Sequence, residues 1–200
     1  MADPVLKPMT ALGSDAPKTI VIGSHRIVER FDVALASLAT RRGREKEVTK
    51  AAKTAKLPLP EPARAKATSQ FGAFWLSPQQ WMIEAPLASH EDISMHLKSI
   101  FADAASITEQ TDAWVRFDVT APNLHPLFEK LCNVDLPQSP VGFSGRTVIE
   151  HIGCYLIKRA AGEVTLYGPR SMAASLLHVL EVTAQSLSGP PEAGHDGAGE

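Results

Sequence analysis

Two of the three tryptophans of this chain flank a proline turn, in the run Phe74-Trp75-Leu76-Ser77-Pro78-Gln79-Gln80-Trp81-Met82-Ile83-Glu84-Ala85-Pro86. No other run constrains the fold as tightly. Proline is pre-set for the second position of a turn, and the flanking Phe/Trp/Leu and Trp/Met/Ile residues have strand composition. The run therefore reads as a β-hairpin. On pattern alone its aromatics anchor a sheet to a core, the usual task of paired aromatics beside a turn.

With 200 residues, 44% of them hydrophobic and 21% charged, the chain can bury one sizeable core or two small ones. Residues 1–18 carry three prolines and little apolar periodicity, and residues 188–200 hold no large hydrophobe, so both ends read as flexible segments. Between them, residues 19–187 read as a single α+β domain. Residues 19–24 and 31–39 are short apolar strand candidates. Residues 42–56 place Val48, Ala51, Ala52 and Ala55 on one stripe of a surface helix whose lysines form a solvated face. The proline-rich stretch 57–62 stops that helix and forms a stiff connector.

After the hairpin, Ser89 is a plausible N-cap for a helix with Ile93, Leu97, Ile100, Phe101 and Ala104 on one face. Residues 114–120 alternate: Val115, Phe117 and Val119 face one way, Arg116, Asp118 and Thr120 the other, as in a half-buried strand. A short helix over 123–132 follows, with Pro126 in its first turn. Three strand candidates, 146–152, 154–159 and 163–168, are separated by Gly153 and by Ala160-Ala161-Gly162, links that suit a meander. Ser171 then caps a final helix. The order of elements indicates α+β, mostly antiparallel sheet with packed helices, and allows a repeated strand-helix-strand unit.

The residues offer little chemistry. The formal net charge of −2 excludes wholesale binding to nucleic acid or to an anionic membrane. Cys132 and Cys154 fit neither a redox nor a zinc pattern and point to reduced thiols. No apolar run approaches the roughly 20 residues needed to span a bilayer, and the first residues lack a leader layout, so the cytoplasm is the expected location. His90-Glu91-Asp92-Ile93-Ser94 has a serine where a zinc hydrolase needs its second histidine, and His96 would lie too far round a helix. Gly142-Phe143-Ser144-Gly145 falls one residue short of a nucleophile elbow. No phosphate-cradling glycine loop occurs. His151 sits beside Glu150 on a strand candidate, where neighbouring side chains diverge. Asp135 orders a turn. Arg146 and Arg170, at element starts, can clamp a carboxylate of a ligand or a partner, or form ordinary ion pairs.

Three segments together resemble the gamma subunit of heterotetrameric sarcosine oxidase. Trp75-Leu76-Ser77-Pro78-Gln79-Gln80-Trp81-Met82-Ile83 is similar to the family's W-L-G-P-x-x-W-L run, with Ser77 at the glycine. The run from Asp135-Leu136-Pro137 to Val141-Gly142-Phe143-Ser144-Gly145-Arg146-Thr147 is similar to its D-L, spaced P-x-G and threonine-led strand. Gly168-Pro169-Arg170-Ser171-Met172-Ala173-Ala174-Ser175-Leu176 is similar to its R-S-F/M-A-x-S-L helix start. The resemblance implies ferredoxin-like strand-helix-strand halves, similar to the folate-binding region of glycine-cleavage aminomethyltransferase. It further implies an accessory chain without catalytic residues, in an enzyme that oxidatively demethylates sarcosine to glycine with peroxide formation and one-carbon transfer to tetrahydrofolate. FAD, FMN, NAD, zinc and tetrahydrofolate are then expected on the other subunits, namely larger alpha and beta chains and a small zinc-binding delta chain. Trp75, Phe74 and Trp81 become candidates for the partner surface, with Arg146 and Arg170 as partner or ligand contacts. The alternative is a free-standing binding protein for folate or another acidic small molecule.

Overall fold

The computed structural model describes residues 9–188. The chain opens with β1 (Thr19–Ile22) and β2 (His25–Arg30); the second was not expected from sequence, since charged residues interrupt its apolar pattern. There follow β3 (Val33–Thr40), α1 (Glu45–Thr54), a three-residue β4 (Ala65–Ala67), β5 (Gly72–Ser77), β6 (Gln80–Pro86), α2 (Ile93–Phe101) and β7 (Ala105–Glu109). The rest is β8 (Trp114–Thr120), α3 (His125–Leu131), β9 (Ser144–Ile149), β10 (Ile152–Ala160), β11 (Glu163–Pro169) and α4 (Ala173–Leu187).

The strands form two antiparallel sheets, of order β4-β5-β6-β3-β7 and β1-β2-β8-β11-β10-β9. In the first, β3-α1-β5-β6-α2-β7 is a complete ferredoxin-like unit. In the second, β8-α3-β10-β11-α4 is the same unit short of its last strand, which would follow α4 and lie beside β8. β2, from the start of the domain, fills that place in antiparallel register with β8. The end of α4 closes against the β1–β2 turn, where a Cβ on Gly23 would come within 2.6 Å of Ser188 Oγ. Two ferredoxin-like halves are thus present, and the second is completed by a strand from the other end of the domain.

Each sheet buries one face under its helices. Ala36, Leu38, Ile83 and Trp81 pack with Val48, Ile93, Leu97 and Phe101 beneath α1 and α2. Phe117, Val119, Leu156 and Leu166 pack with Leu127, Phe128, Leu176 and Leu180 beneath α3 and α4. The remaining faces meet through Leu35, Phe74, Met82, Ile157 and Tyr167, giving four layers in the order helix, sheet, sheet, helix. β8 is for this reason covered on both sides, and Asp118, expected on a solvent face, is buried.

Several local expectations change. Asp92, not Ser89, caps α2, accepting from Met95 N at 3.2 Å. Met172 stands at the N-cap of α4, and Ser171 lies in the preceding 3-10 turn. The β9–β10 link is Glu150-His151, both at positive φ, so His151 is a turn residue and not a strand one. Residues 9–18, expected to be loose, are tied to the domain through Glu29, which accepts from Leu12 N at 3.0 Å and from Lys18 N at 3.1 Å. The rest of the two expected flexible ends, 1–8 and 189–200, lies outside the described residues.

The β10–β11 turn gives a test of the packing. Ala121 N donates to Gly162 O at 3.1 Å, and a Cβ on Gly162 would stand 2.4 Å from Ala121 O. Because the obstacle is backbone, Gly162→Ala is expected to cost about 1–3 kcal/mol in urea denaturation. An unchanged midpoint would show that the turn and the β8–α3 link are not packed as described.

Candidate functional site

The aromatic hairpin is the starting point. Pro78 and Gln79 make the turn, with Gln79 at φ +60°, and Trp75 pairs with Trp81 across the strands. Alternation sends the two tryptophans towards the helices and sends Phe74, Met82 and Glu84 towards the other sheet. Trp81 is 8% exposed, and its Nε1 donates to Pro60 O at 2.8 Å; Phe74 is wholly buried, and Trp75 is half-buried against the helix-side core. These aromatics serve the core, and the hairpin brings a carboxylate, Glu84, between the two sheets.

A ladder row of the six-stranded sheet receives it. Arg30, Arg116, Tyr167, Tyr155 and Arg146 are successive register partners across β2, β8, β11, β10 and β9. Glu84 Oε1 accepts from Arg159 Nη2 and from Tyr167 Oη, each at 2.5 Å, and lies 3.5 Å from Arg116 Nη1. Arg116 in turn holds Asp118 bidentately, Nε to Oδ1 at 2.9 Å and Nη2 to Oδ2 at 3.0 Å. Thr165 Oγ1 accepts from Arg159 Nε at 3.1 Å and donates to Asp118 Oδ1 at 2.7 Å, which closes the ring. Phe74 stacks on Tyr167 with centroids 5.4 Å apart, and Tyr155 bridges Phe74 to Trp114.

The electrostatics follow from the geometry. Burial acts to raise the Glu84 pKa, but the charges of Arg159 and Arg116, with the bonds from Arg159 and Tyr167, outweigh it and hold the carboxyl below its ordinary range. Burial and the adjacent Glu84 carboxylate push the Tyr167 phenol well up, so it remains a donor. Burial opposes the charge of Arg116, yet Tyr167, Asp118 and Glu84 more than compensate and raise it. These groups satisfy one another and hold their charge states firmly.

One side of the network is open. Arg30, Asp32, Glu84, Arg116 and Arg159, with the β4–β5 loop as rim, line a cleft of about 340 Å³. Arg30 is held by Asp32 in a two-bond pair at 2.9 and 2.6 Å. Gly72, the register partner of Glu84 on β5, keeps the space: a Cβ there would stand 2.6 Å from Glu84 Oε2.

The arginines singled out in the sequence lie elsewhere. Arg146 is exposed on edge strand β9. Arg170 does not share a carboxylate with the free N–H groups of α4. Its Nη2 donates to Met9 O at 2.7 Å and to Thr10 O at 3.3 Å, while Asp112 lies 3.6 Å from Nη1. Backbone carbonyls of the chain's own first segment supply what the helix start cannot. The two arginines share no partner among the described residues. Asp135 orders its turn as expected, accepting from Gln138 N at 3.0 Å. His90 and His96 do come together, ring centroids 5.0 Å apart, because His90 precedes the helix and folds back over it. No group of three or more residues suited to a metal occurs among the described residues.

Neither a family model nor a curated protein matches the sequence. Solved structures do. The fold matches a chain of the heterotetrameric sarcosine oxidase from Corynebacterium sp. U-96, determined in complex with pyrrole 2-carboxylate. That match has a TM-score of 0.74 at 16% identity, over 86% of this chain and 91% of the other. This protein shares the fold of a sarcosine oxidase chain. It also matches the glycine cleavage system aminomethyltransferase T from Bartonella henselae, with a TM-score of 0.58 at 9% identity over 84% of this chain. There it spans about half of the other chain's length, 51%. The α+β architecture read from the sequence is therefore the observed one.

Two outcomes test the network. A carboxyl whose folded pKa is depressed stabilises the fold above its unfolded value of about 4.3 and loses that contribution as pH falls through the folded value. Breaking a buried pair costs about 3–5 kcal/mol, so Glu84→Gln is expected to lower stability by that order at pH 7. The gap to the parent should shrink below about pH 4 in urea denaturation series. A gap that does not change with pH would contradict the charged network. Arg170→Ala is expected to cost about 1 kcal/mol, through loss of charged bonds to two carbonyls at the surface, and to speed proteolysis near residues 9–18.

Proposed function

We propose that this chain is the gamma-type accessory subunit of a heterotetrameric sarcosine-oxidising complex. The observation that carries the reading is the fold shared along nearly the whole of a sarcosine oxidase chain. The three sequence segments that resemble the gamma subunit agree with it. The buried network supports a structural task, since Glu84, Tyr167 and Arg116 are held in charge states that suit packing and not proton transfer. In this reading the flavins, NAD, zinc and tetrahydrofolate sit on the larger alpha and beta chains and on the small delta chain. This chain then supplies a rigid four-layer platform against them. No helix among the described residues is long and apolar enough to cross a membrane, which accords with work in the cytoplasm alongside those chains.

Surface features suit a subunit. Val148 is 59% exposed on edge strand β9, close in sequence to the 60% exposed Val141, and Arg146 lies on the same strand. An edge strand with free backbone groups and exposed apolar side chains is a natural place for another chain to pack. The aromatic hairpin is replaced in that role by this edge.

The experiment is affinity purification of the tagged chain from cells that carry its neighbouring genes. Co-purification of larger chains with flavin absorbance and sarcosine-dependent oxygen uptake is expected, while the chain purified alone should be colourless and inactive. Stoichiometric flavin on the isolated chain, or a chain recovered without partners and as heat-resistant alone as in any complex, would overturn the reading.

A further inference from the structure

The outer face of α1 is a stripe of positive charge. Lys46, Lys50 and Lys53 stand four and three residues apart and so share one face of the helix, and Arg42 before it and Lys56 after it extend the line. All five are exposed, and none makes an ion pair among the described residues. Arg44 takes the acids within reach: it pairs with Glu47, three residues before Lys50, and with Asp103 at 3.0 Å.

The helix itself does not account for this arrangement. Lys53 and Lys56 lie at its C-terminal end, where the helix dipole favours a cation, but Lys46 lies in the first turn, where it favours an anion. Lys46 and Lys50 are like charges at a spacing of four, which destabilises an isolated helix. A glutamate at position 46 would serve a merely solvated face better.

The surroundings narrow the partner. Residues 41–56 hold seven basic and two acidic side chains, +5 net, in a chain of net −2, so the remainder carries −7. A long polyanion or an anionic membrane extends well past the stripe and meets that negative remainder. A compact acidic surface meets the stripe alone, since charges are screened beyond about 8 Å at physiological salt. Beside the stripe, Ala51, Ala55 and Ile100 line a groove of about 410 Å³ between α1 and α2, with Lys50 and Thr54 on its wall. Apolar wall beside cations suits protein side chains, which bring carboxylates and apolar groups together. A helix that lies on lipid presents an apolar face to it, whereas the apolar face of α1, Val48 and Ala52, is spent in the core.

We infer that the outer face of α1 docks an acidic surface of another protein chain, whose carboxylates pair with Lys46, Lys50 and Lys53 and whose small apolar side chains enter the α1–α2 groove. This goes beyond the accessory-subunit reading. It adds a contact face on the opposite half of the molecule from β9, and it requires no particular reaction of the partner.

The test is zero-length carbodiimide coupling, which joins lysine amines to carboxylates in direct contact, on the assembly purified with the tagged full-length chain. The joined peptides are sequenced by mass spectrometry. Coupling of Lys46, Lys50 or Lys53 to an aspartate or glutamate of a second, identified chain is expected, and it should disappear at about 1 M salt, where the screening length falls to about 3 Å. Lys46→Glu combined with Lys50→Glu should lower recovery of that chain about tenfold or more, because like charges then face each other. The melting temperature should be no lower than the parent's, since a carboxylate in the first turn suits the helix dipole. Coupling of none of the three lysines, coupling only to a further copy of this chain, unchanged recovery with the reversed charges, or binding of duplex RNA or phosphatidylserine vesicles in place of a protein would overturn the inference. If large flavin-bearing chains are recovered but couple elsewhere, the inference falls and the accessory-subunit reading stands. If the coupled chain carries no flavin and supports no sarcosine-dependent oxygen uptake, the reverse holds.

Discussion

A single buried carboxylate governs how this molecule is put together. Glu84 is carried into the space between two sheets by a hairpin whose other faces are apolar, and there it must find positive charge or unfold the interface. An unpaired ion in such a place costs several kcal/mol, so the requirement is strict. Arg116 and Arg159 come from two strands of the opposite sheet, and Tyr167 from the strand between them. Apolar contact through Phe74, Met82, Ile157 and Leu35 brings the sheets together, but it specifies no lateral register. The ion ring does, since a shift along either sheet would break several bonds to one oxygen at once.

That constraint explains why two half-domains of the same plan behave as one body. Each half has its own helix-covered core. The second half borrows β2 from the start of the domain, and residues 9–18 are in turn bound to β2 by Glu29 and to the end of β11 by Arg170. The first segment therefore reaches the second half before the first half is entered. With helices outside and sheets inside, the edge strands β4, β7, β1 and β9 stay open along one side. The polar interior of the chain is spent on holding two halves in place.

Much of the architecture was legible in the sequence because it rests on local rules. The Ser-Pro-Gln-Gln turn, the alternation over β8, the meander of β9 to β11 and the stripes of α1 and α4 each follow from periods and turn residues within about a dozen positions. β2 and β4 were not legible, being short or interrupted by charge, and they exist because a neighbouring strand pairs with them. The site was less legible still. Glu84 stood in plain view as the one charge in Trp81-Met82-Ile83-Glu84-Ala85, and Arg116 and Asp118 as the polar beat of a strand. Taken strand by strand, those are solvent-side residues; only the second sheet makes them interior. Arg146 and Arg170 drew notice because they begin elements, but an element start faces outward, and the sequence alone does not say which carbonyls or carboxylates will be near.

Glu84 and Arg159 couple the two halves directly. A double-mutant cycle in urea denaturation, with Glu84→Gln, Arg159→Met and the double variant, measures that coupling. A coupling energy of about 1–3 kcal/mol is expected, with the double variant more stable than the sum of the single losses would allow. Single losses that simply add would contradict it, and would reduce the buried ring to a set of independent contacts.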